Sequence, residues 1–316
     1  MDWTARQLRA IVTVAERGNI SHAAVHLGLT QPTVSRMLSR VEADLGTPLF
    51  ERSPGGASLT EAGVGFVATA AEVLRAMEER TDEIRSREGR LVGKICVAMP
   101  DTIGHTLFIP LIDRFSEQHP DVELRVMALH PNSIPLALTA GDADVGVVSS
   151  AHRLSGVRPT PLAVEPLHLV GAGPSADGFG RAGVVPGGEV SLDEVALRPL
   201  LLPAIQPGLR SLIDAAFAQR QLRPNVVLDV DAEDAIIELV SSGRAFSIMS
   251  YAGIQRFVAT GLLAAGRIID PPIERVLSTA VPDNRPVTRL MEAVDAAVRQ
   301  LTVELQAEAR WVPRDA

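Results

Sequence analysis

At 316 residues and 46% apolar composition, the chain is long enough for two or three domains with real cores. Its net charge of −8 excludes a protein that coats nucleic acid through general electrostatics, and a single cysteine, Cys96, excludes an internal disulfide. No segment has the layout of a signal peptide and no apolar run approaches a membrane span, so a cytoplasmic protein with no membrane partner is expected.

The first expected helix runs from Arg6 to Arg17, with Leu8, Ile11, Val12 and Ala15 as its apolar positions. Gly18-Asn19 breaks it, and Ser21 is placed to cap a second helix carrying Ala23, Ala24 and Leu27. Gly28 closes that helix in the left-handed conformation, and Leu29 plugs the turn. Thr30 then offers an N-cap hydroxyl and Pro32 sits in the first turn of a third helix. Val34, Leu38, Val41 and Leu45 form one apolar stripe, while Thr33, Arg36, Ser39 and Arg40 lie opposite. Such a polar, cationic face at a helix N-terminus suits a reader of the major groove; Arg40, further along, reads as a solvated flank. Two short helices joined by a glycine-containing turn make a helix-turn-helix, although helical hairpins in ordinary cores share the pattern. After Gly46-Thr47-Pro48, an extended piece through Phe50-Glu51-Arg52-Ser53, a turn at Pro54-Gly55-Gly56 and a returning Ala57-Ser58-Leu59 read as a small β-wing. Arg52 and Ser53 are placed there to meet the backbone or minor groove. Thr60 caps a long helix opening Glu61-Ala62-Gly63.

The motifs Ser21-x-Ala23-Ala24, Leu27-x-Leu29-Thr30-Gln31-Pro32-Thr33-Val34-Ser35-Arg36, Val41-Glu42-x-x-Leu45-Gly46, Pro48-Leu49-Phe50-Glu51-Arg52 and Leu59-Thr60-Glu61-Ala62-Gly63 stand in consistent order and spacing. On these the chain resembles the winged helix-turn-helix domain of LysR-type transcriptional regulators. The resemblance implies DNA contacts from Gln31, Pro32, Thr33, Ser35 and Arg36, with Arg52 on the wing. Ser21, Ser39 and Ser53 complete the expected DNA-facing set. Six arginines face five acids within residues 1–60, a net +1, so the remainder carries −9. A near-neutral reading head implies weak non-specific affinity and reliance on paired, specific contacts.

Residues 61–89 carry Val67, Ala70, Leu74, Met77, Thr81 and Ile84 at alternating spacings of three and four, an a/d rhythm flanked by charge. A dimerising helix is expected, with Val67, Leu74, Met77 and Ile84 at its seam, although a helix packed on its own domain shows the same pattern. A symmetric dimer would set two heads on an interrupted inverted repeat. The resemblance further implies a tetramer and RNA polymerase as a partner.

From residue 90 onward, strands alternate with helices, which argues for parallel βαβ units. Expected strands are Ile95–Met99, Val122–Leu129, Asp144–Val148, Glu165–Val170, Pro199–Leu202, Val226–Val230, Phe246–Met249 and Arg275–Val281. Expected helices are Leu107–Gln118, Ile134–Thr139, Gly208–Arg220, Glu233–Ser241 and Val287–Ala307, with an elongated surface loop at Gly171–Gly188. The order of elements, with Gly141-Asp142-Ala143-Asp144-Val145-Gly146-Val147, resembles the two-lobed effector domain of the LysR family, a periplasmic-binding-protein-like fold. Lobe I would cover about 90–161 and 267–316, and lobe II about 162–266. Leu201-Leu202-Pro203, Gly208-Leu209 and Ile269-Asp270-Pro271-Pro272 resemble the nitrogen-assimilation-control branch of that family.

In such a fold a small-molecule effector sits between lobes, at strand carboxyl ends and helix N-termini. That nominates Pro100, Asp101, Thr102 and Ile103, then Asn132, Ser133 and Ser149, and from the other lobe Ala204, Gln206, Gly208, Asp231 and Ser250. Hydroxyls and free N–H groups there suit a small carboxylate, whereas Asp101 and Asp231 argue against a strongly anionic ligand. Each residue would serve equally as an ordinary cap or turn. Cys96 lies in a run of strand character and reads as a buried apolar cysteine, with no second cysteine to resolve a sulfenate. His22 and His26 have metal-ligand spacing on a helix but no third ligand nearby, and Asp142 and Asp144 read as a turn. No nucleophile elbow, phosphate-binding loop or dinucleotide fingerprint occurs, so neither an enzyme nor a cofactor is expected. The function expected is a regulator that binds a double-stranded DNA operator under effector control. The alternative is a cytoplasmic solute-binding or interaction protein that shares only the effector fold.

Overall fold

In the computed structural model, which describes residues 2–53, 55–86, 90–149, 154–174, 188–204, 208–308 and 310–311, Thr4 starts the first helix with a reciprocal cap. Its hydroxyl accepts from Gln7 N while Gln7 Oε1 accepts from Thr4 N. The cap begins α1 (Ala5–Arg17) one residue before the expected start, and Gly18 ends it in the left-handed conformation. Its buried positions are Gln7, Ala10, Ile11, Thr13 and Val14, so Leu8, Val12 and Ala15 stand on the flanks of the stripe and not at its centre.

Asn19, not Ser21, caps α2 (Ile20–His26): its Oδ1 accepts from the N–H groups of Ser21 and His22. The amide side chain of Asn19, two residues earlier, reaches both N–H groups at once, and Ser21 becomes an exposed first-turn residue. Gly28 follows at φ +63° and leads to α3 (Gln31–Leu45). Strands β1 (Phe50–Ser53) and β2 (Gly56–Leu59) form the antiparallel wing; Pro54 lies outside the described residues. Ala57 N donates to Gly18 O at 2.7 Å, and a Cβ on Gly56 would stand 2.4 Å from that oxygen, so only glycine admits this close approach. Thr60 caps α4 (Glu61–Arg85) by accepting from Gly63 N, and its hydroxyl donates to Pro48 O. Ala10, Ile11, Val14, Ala23, Ala24, Val34, Leu38, Val41, Leu49 and Phe50 form one core under these elements. All of this belongs to the first of two compact units, Met1–Arg90.

The second unit, Leu91–Ala316, contains β3 (Gly93–Met99), α5 (Asp101–Gln118), β4 (Val122–Ala128), a 3-10 turn at Pro131–Ser133, α6 (Ile134–Ala140) and β5 (Val145–Ser149). There follow β6 (Val157–Ala172), β7 (Glu189–Ser191), α7 (Leu192–Ala196), β8 (Leu200–Leu202), α8 (Leu209–Gln219), β9 (Val226–Asp229) and α9 (Glu233–Ser241). The chain closes with β10 (Phe246–Ser250), α10 (Tyr251–Ala259), β11 (Leu263–Ile269), β12 (Glu274–Pro282) and α11 (Arg289–Ala307).

Neighbouring strands run β4-β3-β5-β12-β6-β10-β8-β9, with β11 paired to β6 and β7. Within each half the βαβ strands are parallel (β3 with β4 and β5, β8 with β9 and β10), as expected, whereas β12 and β6 run antiparallel to their neighbours. A single strand threads both halves: residues 157–166 of β6 pair with β12, and residues 167–172 pair with β10 and β11. Separate apolar clusters underlie the halves, one around Val97, Leu107, Phe115 and Leu301, the other around Leu169, Leu200, Phe217 and Ile248.

Two corrections bear on the site. Helix α5 begins at Asp101 and not at Leu107, because Pro100 supplies the extended residue before a helix and Asp101 suits its first turn. Strand β5 extends through Ser149, which is therefore paired to Leu277 and buried. Elements α7, β7, α10 and β11 were not expected. Most of the surface loop expected at Gly171–Gly188 lies outside the described residues.

Candidate nucleic-acid interface and effector cleft

Burial of Val34, Leu38 and Val41 fixes which way α3 faces. Gln31, Pro32, Arg36, Ser39 and Arg40 are exposed, and Thr33 and Ser35 are half-buried at the edge of the same face. Thr30 stands at the N-cap without a side-chain cap, because its hydroxyl is 2.8 Å from the Thr33 hydroxyl. Arg36 lies against its own helix through Nε to Pro32 O, 3.3 Å.

The wing is tied to this helix by side chains. Glu42 Oε1 accepts from Leu49 N and Phe50 N at 2.9 and 3.2 Å, and its other oxygen accepts from Arg52 Nη2 at 3.1 Å. Arg52 also reaches the Ser35 and Ser39 hydroxyls at 3.3 and 3.4 Å. The Arg52 guanidinium is thus engaged with α3, where it sets the angle of the wing and holds two hydroxyls of the reading face. Glu42, which was not among the expected site residues, is the centre of that staple. Ser21 and Ser53 are exposed. His26 Nδ1 lies 3.2 Å from Arg17 Nη2, and among the described residues no group of three ligating side chains could hold a metal ion.

On α4, two of the four expected seam residues are already used within the unit. Val67 packs on the head's core and Leu74 is buried. Met77 and Ile84, at 54% and 62% exposure, remain open, and Val64 and Val73 join them. Trp3 packs edge-on against Phe66, and Arg9 pairs with Glu78, so the other side of α4 is held by the head.

In the second unit a cleft of about 380 Å³ opens where the carboxyl ends of β3, β4, β8, β9 and β10 meet. Pro100, Asp101, Thr102, Asn132, Ala204, Gly208, Asp231 and Ser250, all expected from their position after strands, line it together. Ile103 does not: it is the third residue of α5 and lies in the core. Ser133 is exposed outside the lining and Ser149 is buried in its strand. Gln206 lies outside the described residues. His130, Arg210, Glu233 and Arg275 line the cleft without having been expected. Arg210 and Glu233 sit in the first turns of α8 and α9, so helix starts near the strand ends were the missing signal.

Asp231 Oδ1 accepts from Ala204 N at 2.9 Å, which ties the β9 end to the β8 end. Arg210 is held by Asp214, Asp229 and Pro203 O. Arg275 Nε donates to the fully buried Glu165, its directly opposed neighbour across β12 and β6. Helices α5, α8, α9 and α10 all begin at the cleft with no side-chain cap on their first turns. This arrangement can bind a small polar molecule by its ends.

Burial, together with Asp101 and Asp234, pushes the Glu233 carboxyl up to about 7, against the pull of Arg256 and Arg275. A carboxyl raised above its unfolded value stabilises the fold fully below that unfolded value, and the contribution is lost as pH rises through about 7. Glu233→Gln should therefore denature at higher urea than the native chain at pH 8, with the gap closing by about pH 5. A pH-independent gap would sink this account of Glu233. Burial likewise pushes the Cys96 thiol up to about 11, against Arg125, and its N–H donates to Asp144, which also pairs with Arg285. Asp144 is a structural anchor.

Comparison with known proteins bears on both regions. Residues 5–64 match the model for bacterial regulatory helix-turn-helix proteins of the lysR family, and residues 88–302 match the LysR substrate binding domain. The HTH-type transcriptional regulator YcgK of Bacillus subtilis is 31% identical over 49% of this chain and 48% of its own length. The nitrogen assimilation regulatory protein nac of Klebsiella aerogenes is 24% identical over 86% of this chain and 87% of its own. Full-length CbnR, solved in complex with its target DNA, superposes with a TM-score of 0.66 at 25% identity, covering 95% of this chain and 100% of that one.

Proposed function

The chain belongs to the LysR family of transcriptional regulators, and from that premise we propose that it reads an interrupted inverted repeat as a dimer whose head spacing is set by an effector in the interlobe cleft. On this reading residues 1–60 are the DNA-reading head, 61–89 the dimerising linker and 90–316 the effector domain, with lobe II between the two strand crossings. The observation that carries it is the first two turns of α3: an exposed polar and cationic surface opposite a buried stripe, with the wing stapled alongside. Gln31, Pro32, Thr33, Ser35 and Arg36 would meet the operator, supported by Ser39, Arg52, Ser21 and Ser53 at the flanks. A solute-binding protein without regulatory output would have no use for that surface, and the reading is of a regulator, not an enzyme.

Pairing would run along the open side of α4, through Val73, Met77 and Ile84, since Val67 and Leu74 are taken within the protomer. Binding-site selection from random DNA with the full chain should return two related half-sites centred about one helical turn, or a multiple of it, apart. Met77→Glu with Ile84→Glu should give monomers by light scattering and lose protection of both half-sites together. Intact dimers in that variant would remove α4 from the interface, and recovery of one unpaired half-site would remove the dimer from the reading. Among the described residues no helix is long and apolar enough to cross a membrane.

A further inference from the structure

The cleft presents two kinds of unspent polar group on different elements. Ser250, only 5% exposed, stands at the start of α10 with its hydroxyl lacking a hydrogen-bond partner among the described residues. Arg275, committed to Glu165 through Nε, keeps Nη2 buried and unpartnered. A buried hydroxyl, a spare guanidinium N–H and an uncapped helix N-terminus together ask for an anionic oxygen pair. In the same cleft, Asp101 on α5 and Glu233 on α9 make no hydrogen bond among the described residues, whereas the third lining acid, Asp231, is bound to Ala204 N. Glu233 lies beside the α10 backbone: a Cβ added at Gly253 would be 3.3 Å from its Oε1 and 3.2 Å from Thr102.

We propose that the effector is a free amino acid, its carboxylate held by Ser250, the α10 N-terminus and Arg275, and its protonated amine set between Asp101 and Glu233. The proposal rests on the cleft being the effector site. A simple carboxylate would leave Asp101 and Glu233 in the cleft without a hydrogen-bond donor, and a simple amine would meet Arg275 and four positive helix ends. An ampholyte meets both demands in one molecule, and a cleft of about 380 Å³ suits one of that size. Glu233 is surrounded by Asp101 of α5, Asp234 of its own helix, Arg256 of α10 and Arg275 of β12. The amine favours its ionised form, so amino-acid affinity rises with pH as Glu233 loses its proton near 7 and then levels off.

The test is thermal unfolding of the full chain with millimolar probes: the protein L-α-amino acids, β-alanine and 4-aminobutanoate. Each is matched with its N-acetyl form, its carboxamide and the parent carboxylate lacking the amine. At least one amino acid should raise the midpoint, and calorimetry should show its N-acetyl and carboxamide forms binding about tenfold or more weakly, the loss expected when a buried polar partner is left unmatched. Ser250→Ala and Glu233→Gln should each weaken it to a similar degree. If parent carboxylates bind as well as amino acids, the ampholyte falls while the effector cleft stands. If an amino acid binds equally well to native protein and to both variants, the cleft reading falls too. If no amino acid moves the midpoint, the proposal is overturned.

Discussion

Removing the carboxylate of Glu165 should be the most damaging single change in the second unit, with Glu165→Ala losing about 3–5 kcal/mol of stability to urea. The side chain has no exposure and Arg275 almost none, and they face each other across β6 and β12. The pair stands two residues before β6 exchanges β12 for β10 and β11 as partners, where Leu167 N donates to Ile273 O. Alanine leaves a guanidinium stranded away from water, and the strand shared by both halves loses its cross-strand tie. Since a whole domain is held by about 5–15 kcal/mol, that is a large share. The double change Glu165→Leu with Arg275→Met should restore most of the loss, because two apolar side chains leave no buried charge. A single variant with a native urea midpoint would show that the pair is solvated. A double variant no better than the single would show that shape, not charge, is at stake.

Arg36→Ala should leave both units folded and disable operator binding. The side chain is exposed and makes one long contact with its own helix, so its removal costs little stability. A bidentate arginine–base contact is worth about 1–3 kcal/mol, and a dimer uses two. A tenfold loss per head thus becomes about a hundredfold for the pair, as read by fluorescence anisotropy. The manner of loss identifies the contact: a base contact relaxes sequence preference at one position, whereas a phosphate contact weakens all sequences and lowers the salt slope by about one. Unchanged affinity would remove Arg36 from the interface.

These two residues differ in how readily the sequence disclosed them. Arg36 was visible because α3 has a clean helical stripe, and whatever lies opposite Val34, Leu38 and Val41 must face outward. The first unit as a whole was legible for that reason, together with punctuation by Gly18, Gly28 and Thr60. What escaped there was long-range: nothing local says that Glu42 accepts N–H groups from the segment after its own helix and also holds Arg52. The second unit was legible in its alternation but not between 251 and 269. There Gly253, Gly261 and Gly266 interrupt both periods, and β11 is buried on both faces, so it lacks the polar alternation that marks a half-buried strand. Arg275 was missed because nominating residues after strands passes over one at the start of a strand, the second residue of β12.

Cys96 has a practical consequence. It is the chain's one thiol, and it is shut inside β3 and held protonated at any ordinary pH. The protein therefore needs no cysteine removal before maleimide chemistry. A single cysteine placed on the open side of α4 or on the wing would give one reactive position per protomer. A spin label there turns the separation of two heads into a distance that can be read directly, with and without a molecule in the cleft.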